Sequence, residues 1–219
     1  MIAGLSVPVT ITRHRLARRY VVRVSPEGAL RLTVPRGASI AGGLAFASRQ
    51  ADWITREMAR QEERRAPLET GSRAWFRGEQ VSIVVTPAQA TIGPEILPLR
   101  SPLTDVRAAL EARLRRIAAD ELPARCRELA EAARVQVDRV TIRNQRSRWG
   151  ACSASRAITL NWRLVQMPAS VSDYVIFHEL MHIRQPNHSR RFWREVDAVC
   201  GWWRDAEKWL RRHGRDLLP

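Results

Sequence analysis

Apolar residues change their spacing several times along the chain, and each change marks a different element. Val7, Val9 and Ile11 alternate with polar residues, and the runs RRYVVRV and ALRLTV follow with Pro26–Gly28 between them. Alternation at a period of two predicts short strands joined by a turn. The spacing then lengthens. Ile40, Ala47, Ile54 and Met58 lie roughly along one helical face with Phe46 and Trp53 beside it, and Ser39 stands where an N-cap belongs. A helix is therefore predicted from about 39 to 65, with Gly42–Gly43 weakening its first turn. From 73 to 99 the β pattern returns as RAWF, a turn at Gly78, QVSIVV and a proline-interrupted stretch ending ILPLR.

Residues 101–136 read as helical. Ser101-Pro102 supplies an N-cap and a first-turn proline, and Val106, Leu110, Leu114 and Ile117 keep helical spacing. Pro123 is expected to break or kink this helix before a second piece carrying Cys126 and Leu129. Three short strands follow: VDRVTIR, about Arg148–Ser153, and about Ala157–Trp162. Pro168 opens another helix that should stop before Pro186, and the remainder is helical, with Trp193, Trp202, Trp203 and Trp209 as apolar mass. There is no internal repeat. The shift of pattern near residue 100 divides the chain into a β-rich module with one helix (1–100) and an α+β domain (101–219).

Composition narrows the class without naming a function. With 45% apolar residues and eight Trp in 219 residues, the chain has material for a real core. No run approaches the ~20 apolar residues of a membrane span, so no membrane association is expected. The opening MIAGLSVPVTITRHR lacks the basic and apolar regions of a secretory signal. Three widely spaced cysteines, Cys126, Cys152 and Cys200, argue against a disulfide framework and fit a reducing cytoplasm. The net charge of +15, from 36 Arg and one Lys against 22 acids, would attract DNA or another polyanion. That charge is spread, +7 over 1–100 and +8 over 101–219, and the near-absence of Lys reads as coding bias. Charge alone decides nothing.

Histidine placement is more informative. His178-Glu179-Leu180-Met181-His182 is an HExxH pattern, preceded by the apolar run Tyr174–Phe177. On a helix, positions i and i+4 share a face, so both imidazoles can reach one metal ion, while the intervening Glu can act as general base. A catalytic zinc wants a third protein ligand and one open position. His188 follows six residues later, past a corner at Pro186-Asn187, with Ser189 placed to cap a new helix. His14 and His213, set among arginines, read as surface residues, and Cys152 and Cys200 as packing residues.

These motifs resemble the YgjP-like family of bacterial zinc metallopeptidases, which is similar to the SprT type. The resemblance rests on Arg148-Trp149-Gly150-Ala151-Cys152-Ser153, Ile158-Thr159-Leu160-Asn161-Trp162, the HExxH stretch, and Asn187-His188-Ser189 with Phe192-Trp193. The family usually has Ser at the place of Ala151 and a small residue at that of Met181. The resemblance implies a zincin-like α+β metallopeptidase domain with an HExxH active-site helix. It implies one Zn²⁺ per chain, held by His178, His182 and His188, with Glu179 as the catalytic base that assists attack of a zinc-bound water on a polypeptide substrate. In zincins the peptide adds as a strand beside the metal, which makes the strand near Arg148–Ser153 the expected platform and Arg148, Trp149, Gly150 and Tyr174 the expected substrate-binding residues. Asp173 and Asn161 are candidates for orienting imidazole N–H groups.

Arginine is dense around the motif: Arg139, Arg143, Arg146 and Arg148 before it, Arg184, Arg190, Arg191 and Arg194 after it. A solvated face is the plain interpretation. Phosphate contact would suit a peptidase acting on DNA-associated proteins, or a metal-dependent nucleoside triphosphate pyrophosphohydrolase. A nucleic-acid-binding module with a structural zinc is the non-enzymatic alternative, but structural sites are normally closed by four ligands.

Overall fold

Residues 7–25, 27–101, 104–145 and 147–217 are described by the computed structural model. The predicted turn residue Pro26, the first-turn Pro102 and the flanking Arg146 lie outside them. The chain divides into two units, 1–66 and 67–219. The boundary expected near residue 100 thus falls earlier. The strands over 73–98 bury Ala74, Phe76, Ile83, Ala90, Ile92 and Leu97 in the same core as the helices that follow, which ties them to the second unit.

In unit 1, β1 (Val9–His14), β2 (Val21–Val24) and β3 (Leu30–Pro35) form a sheet of order β1-β3-β2. β1 runs parallel to β3 and β2 antiparallel to it. Leu30, Leu32 and Val34 alternate inward and are fully buried. The single helix predicted over 39–65 is two helices, α1 (Ile40–Arg49) and α2 (Ala51–Arg65), divided at Gln50 where φ is −98° and ψ is 17°. Ser39 caps α1 as expected, its hydroxyl accepting from the Gly42 amide. Ala47 and Ile54, one from each helix, meet Leu30 in the core of this unit.

Unit 2 begins with the antiparallel meander β4 (Arg73–Phe76), β5 (Glu79–Val85), β6 (Gln89–Ile92) and β7 (Glu95–Pro98). Next comes α3 (Val106–Ala132), one continuous helix despite Pro123. The predicted break does not occur because α3 buries Leu110, Leu114, Ile117 and Ala118 before the proline and Leu122, Cys126, Leu129 and Ala130 around and after it. Each buried Leu or Ile among these contributes about 1.5–3 kcal/mol, and together they outweigh the roughly 3 kcal/mol that an interior proline costs. Its cap is Asp105, accepting from the Arg107 and Ala108 amides, and not Ser101.

The second sheet is small: β8 (Arg139–Arg143), β9 (Gly150–Cys152) and β10 (Ala157–Asn161), in the order β8-β10-β9. β8 is parallel to β10 and β9 antiparallel, so β9 forms an edge. A 3-10 turn over 162–166 leads to α4 (Ala169–Met181), followed by α5 (Arg190–Val199) and α6 (Trp203–His213). Two contacts fix α4. Gly78, at φ +89° in the β4–β5 turn, donates its amide to the Gln166 carbonyl at 2.9 Å, and a Cβ there would lie 2.7 Å from Pro168. Arg125 of α3 grips Asp173 through Nε and Nη2 at 2.9 and 2.6 Å. The mixed architecture is the α+β class expected, and among the described residues no helix is long and apolar enough to cross a membrane.

Candidate metal centre

α4 is buried on almost every side, with Val171, Tyr174, Val175, Ile176, Phe177, Leu180 and Met181 packed into the core. That environment holds the helix rigid and carries His178 and Glu179 on its last turn. His182 is its C-cap and keeps helical dihedrals (φ −64°, ψ −21°), so the i, i+4 relation with His178 survives the helix end. The corner after Pro186 closes as expected. Ser189 caps α5 by accepting from the Phe192 amide, and His188 swings back so that its Nε2 lies 2.9 Å from Nε2 of His178. One ligand-capable nitrogen from each of His178, His182 and His188 falls within 4.8 Å of the others. Nitrogens bound to one tetrahedral zinc at ~2.05 Å stand roughly 3.3 Å apart, so small ring adjustments suffice. Phe192 stacks on His182 at 4.5 Å between centroids and Trp193 on His188 at 5.9 Å, giving the triad an aromatic floor.

The groups that orient the rings differ from those anticipated. His182 Nδ1 lies 3.0 Å from the Gln185 carbonyl, which fixes Nδ1 as the donor and leaves Nε2 as the lone-pair nitrogen a metal needs. Asp173, expected beside an imidazole, is engaged by Arg125. Asn161 likewise serves the backbone: its amide donates to the Gln145 and Arg148 carbonyls at 2.8 and 3.1 Å and pins the segment entering β9. His178 Nδ1 is buried without a hydrogen-bond partner among the described residues. Burial and the two neighbouring histidines lower its pKa to about 4, and burial lowers that of His182, so both are neutral near pH 7. Three imidazole ligands with room for a further one fit zinc better than magnesium or calcium.

Glu179 lies against β9. It is 8% exposed, and burial lifts its pKa to about 7 against the opposing pull of Arg148. A Cβ added at Gly150 would sit 2.5 Å from its Cγ and 2.7 Å from its Oε1, so only glycine lets the strand pass this close. A cavity of about 310 Å³ opens here, and Arg148, Trp149, Gly150 and Tyr174 all line it together with His178 and Glu179. Its far wall, Glu207, Leu210 and Arg211 of α6, was not anticipated. Nothing in the local sequence links these residues to a motif some thirty positions earlier. Tyr174 is buried, its ring edge-to-face with His178 at 5.9 Å between centroids and its hydroxyl donating to Glu207 at 3.5 Å.

The flanking arginines separate into roles. Arg184 pairs with Glu195 and donates to the Ala133 carbonyl at 2.6 Å, so it braces the fold. Arg190, Arg191 and Arg194 are exposed on α5, with no ion pair to them among the described residues. His213, expected at the surface, is half-buried between Trp75 and Trp209. The three cysteines are free; Cys126 and Cys200 are fully buried and Cys152 partly so.

Comparison with known families matches the one described as YgjP-like, metallopeptidase domain, over residues 18–213. Comparison with curated proteins gives no match. Among solved structures, the crystal structure of the metallopeptidase zymogen of Pyrococcus abyssi abylysin is similar at 23% identity and a TM-score of 0.37, covering 42% of this chain and 94% of that one.

Proposed function

The chain belongs to the YgjP-like metallopeptidase family, and from that premise we propose that it is a zinc-dependent peptidase with His178, His182 and His188 as metal ligands and Glu179 as general base. The observation that carries this reading is the convergence of three imidazole nitrogens beside a buried carboxylate at one end of a cavity. Zinc, when bound there, supplies a Lewis acid that polarises a carbonyl and acidifies water. The remaining chemistry belongs to the chain. With a pKa lifted to about 7, Glu179 can accept a proton from the attacking water at its carboxylate and release it to the departing amine. As an edge strand, β9 can pair along its outer side with an extended peptide, which gives affinity without demanding a sequence. Trp149 and Tyr174 wall the cavity, and Arg148 offers a charge at its edge. The exposed arginines of α5 suit substrates that are themselves DNA-associated, and free cysteines suit the cytoplasm.

The test is Glu179→Gln against wild type, assayed on casein, on DNA-bound protein and on a nucleoside triphosphate panel. The variant should keep one zinc per chain and lose proteolysis. Undiminished turnover by the variant, or turnover of nucleotides without proteolysis by the wild type, would overturn the proposal.

A further inference from the structure

We propose that unit 1 carries a binding site for single-stranded nucleic acid, formed by the aromatic cavity beside β2 and the arginines at its edge. The cavity measures about 780 Å³, and its lining includes Tyr20, Phe46, Trp53, Arg18 and Arg19. That volume lies within the usual range for ligand pockets, roughly 300–1,000 Å³. All three aromatic residues are half-buried, so each has ring surface left to offer.

Tyr20 is built in rather than stranded. Its hydroxyl donates to the Ser39 carbonyl at 3.0 Å, and its ring stacks with Phe46 at 6.0 Å and 25° between planes. The ring crosses the first turn of α1 where Gly42 and Gly43 stand. A Cβ at Gly42 would lie 2.6 Å from the tyrosine oxygen, and one at Gly43 would lie 3.3 Å from the ring. Two glycines inside a helix are destabilising, and here they make room for an aromatic shelf.

Charge identifies the occupant. The first fifty residues hold eight arginines and one acid, Glu27, a net +7, whereas residues 51–100 hold seven arginines and seven acids. The whole excess of the N-terminal hundred therefore sits on the segment that forms this sheet and most of the cavity. Arg18 and Arg19 are exposed, with no ion pair among the described residues. Arg13 donates to the Ala38 carbonyl at 3.1 Å and so lies against the turn that closes the cavity's other side. Aromatic planes for bases beside guanidinium groups for phosphates are the requirements of single-strand binding. A duplex hides the base faces that such rings would stack on.

The test uses the full chain and fluorescence anisotropy with labelled oligothymidylate and oligouridylate of about twenty nucleotides and a duplex of equal length, in chelator so that neither metal nor turnover matters. The wild type should bind both single strands at least about tenfold more tightly than the duplex, and a preference between them distinguishes DNA from RNA. The exposed pair Arg18→Glu/Arg19→Glu should weaken binding about tenfold or more and flatten the salt dependence, with unchanged thermal unfolding. Phe46→Leu, which keeps the apolar volume, should weaken it roughly fivefold or more through lost stacking. The exposed unit 2 pair Arg100→Glu/Arg116→Glu, which changes the net charge equally, should leave affinity within about twofold. Absence of binding, equal binding of duplex, indifference to the unit 1 variants, or equal loss from the unit 2 pair would each overturn the proposal.

Discussion

Gly150→Ala is the sharpest probe of the metal centre because it adds one methyl group at a single known contact. The new Cβ would stand 2.5 Å from Cγ, 2.7 Å from Oε1 and 2.9 Å from Cδ of Glu179. Carbon atoms rest about 3.5–4.0 Å apart, so something must retreat by roughly 1 Å. The strand is poorly placed to yield: Gly150 pairs with Leu160, and the Asn161 amide donates to the Trp149 carbonyl at 2.8 Å. The Glu179 carboxylate therefore moves, within surroundings that leave the residue 8% exposed. A displacement near 1 Å at a reacting group costs on the order of 100-fold in rate, and overpacking of this kind costs about 1–3 kcal/mol in stability.

The assay is steady-state proteolysis of a casein substrate, with zinc content and thermal unfolding measured on the same preparations. Zinc stoichiometry should be unchanged, because no histidine of the triad is among the nearest atoms to the added group. The double variant Gly150→Ala/Glu179→Gln should be no slower than Glu179→Gln alone, since both changes act through one carboxylate. Turnover of Gly150→Ala within about threefold of wild type would refute the placement of the base. Additive losses in the double variant, or loss of zinc along with activity, would show that the substitution acts elsewhere.

Other expectations follow from the same geometry. Zinc at a thousandfold over its Kd should add about 4 kcal/mol to unit 2 and raise its melting temperature by roughly 8–16 °C, a gain that chelator or His188→Ala removes; a metal-independent transition would contradict the triad as a binding site. Burial lifts the Cys126 and Cys200 thiols to about 12, so at pH 8 a thiol reagent should modify Cys152 alone in native protein and all three in denaturant. The sign for stability follows: the contribution of these two protonated thiols is complete below the unfolded value near 8.5 and is lost as pH rises toward 12, so unfolding temperatures measured above pH 8.5 should fall. Asn161→Ala frees the segment entering β9 and should cost about 1–3 kcal/mol while lowering turnover with zinc retained; wild-type turnover would remove Asn161 from any positioning role.

What was readable in the sequence was local. The HExxH spacing needs only a helix, and the corner to His188 needs only Pro186 and a capping Ser189, so the triad could be drawn before any fold was known. Helix and strand types followed from periodicity for the same reason. What the sequence hid depended on distant packing. Pro123 looks like a breaker until the buried residues on both its sides are counted, and Gln50 carries no breaker signature although the chain turns there. Gln185 orients His182 through a backbone carbonyl, which no side-chain pattern reveals. Asp173 and Asn161 read as partners for the imidazoles, yet the groups they engage, Arg125 and the 145–148 segment, come from elements that only the fold brings close. The wall formed by Glu207, Leu210 and Arg211 belongs to α6 and is likewise a product of packing.

The same distinction explains the charge. Counted by halves, the +15 looked like an even background; counted by fifties, the first hundred residues split into a strongly cationic segment and a neutral one. A uniform coding bias toward arginine raises basic content everywhere, but it does not withhold acids from one segment and supply seven to the next. In residues 51–100 the carboxylates are present in numbers equal to the arginines, and Glu57, for one, is paired with Arg60 at 3.3 Å. In residues 1–50 a single acid stands against eight guanidinium groups, and over the whole unit, 1–66, twelve arginines still face five acids, so net repulsion persists. A fold tolerates such repulsion most readily where an external anion relieves it, and here the repulsion and a half-open aromatic cavity occupy the same segment. The arginines of unit 1 and the histidines of unit 2 therefore call for separate tests, one of the proposed polyanion binding and one of the proposed metal chemistry.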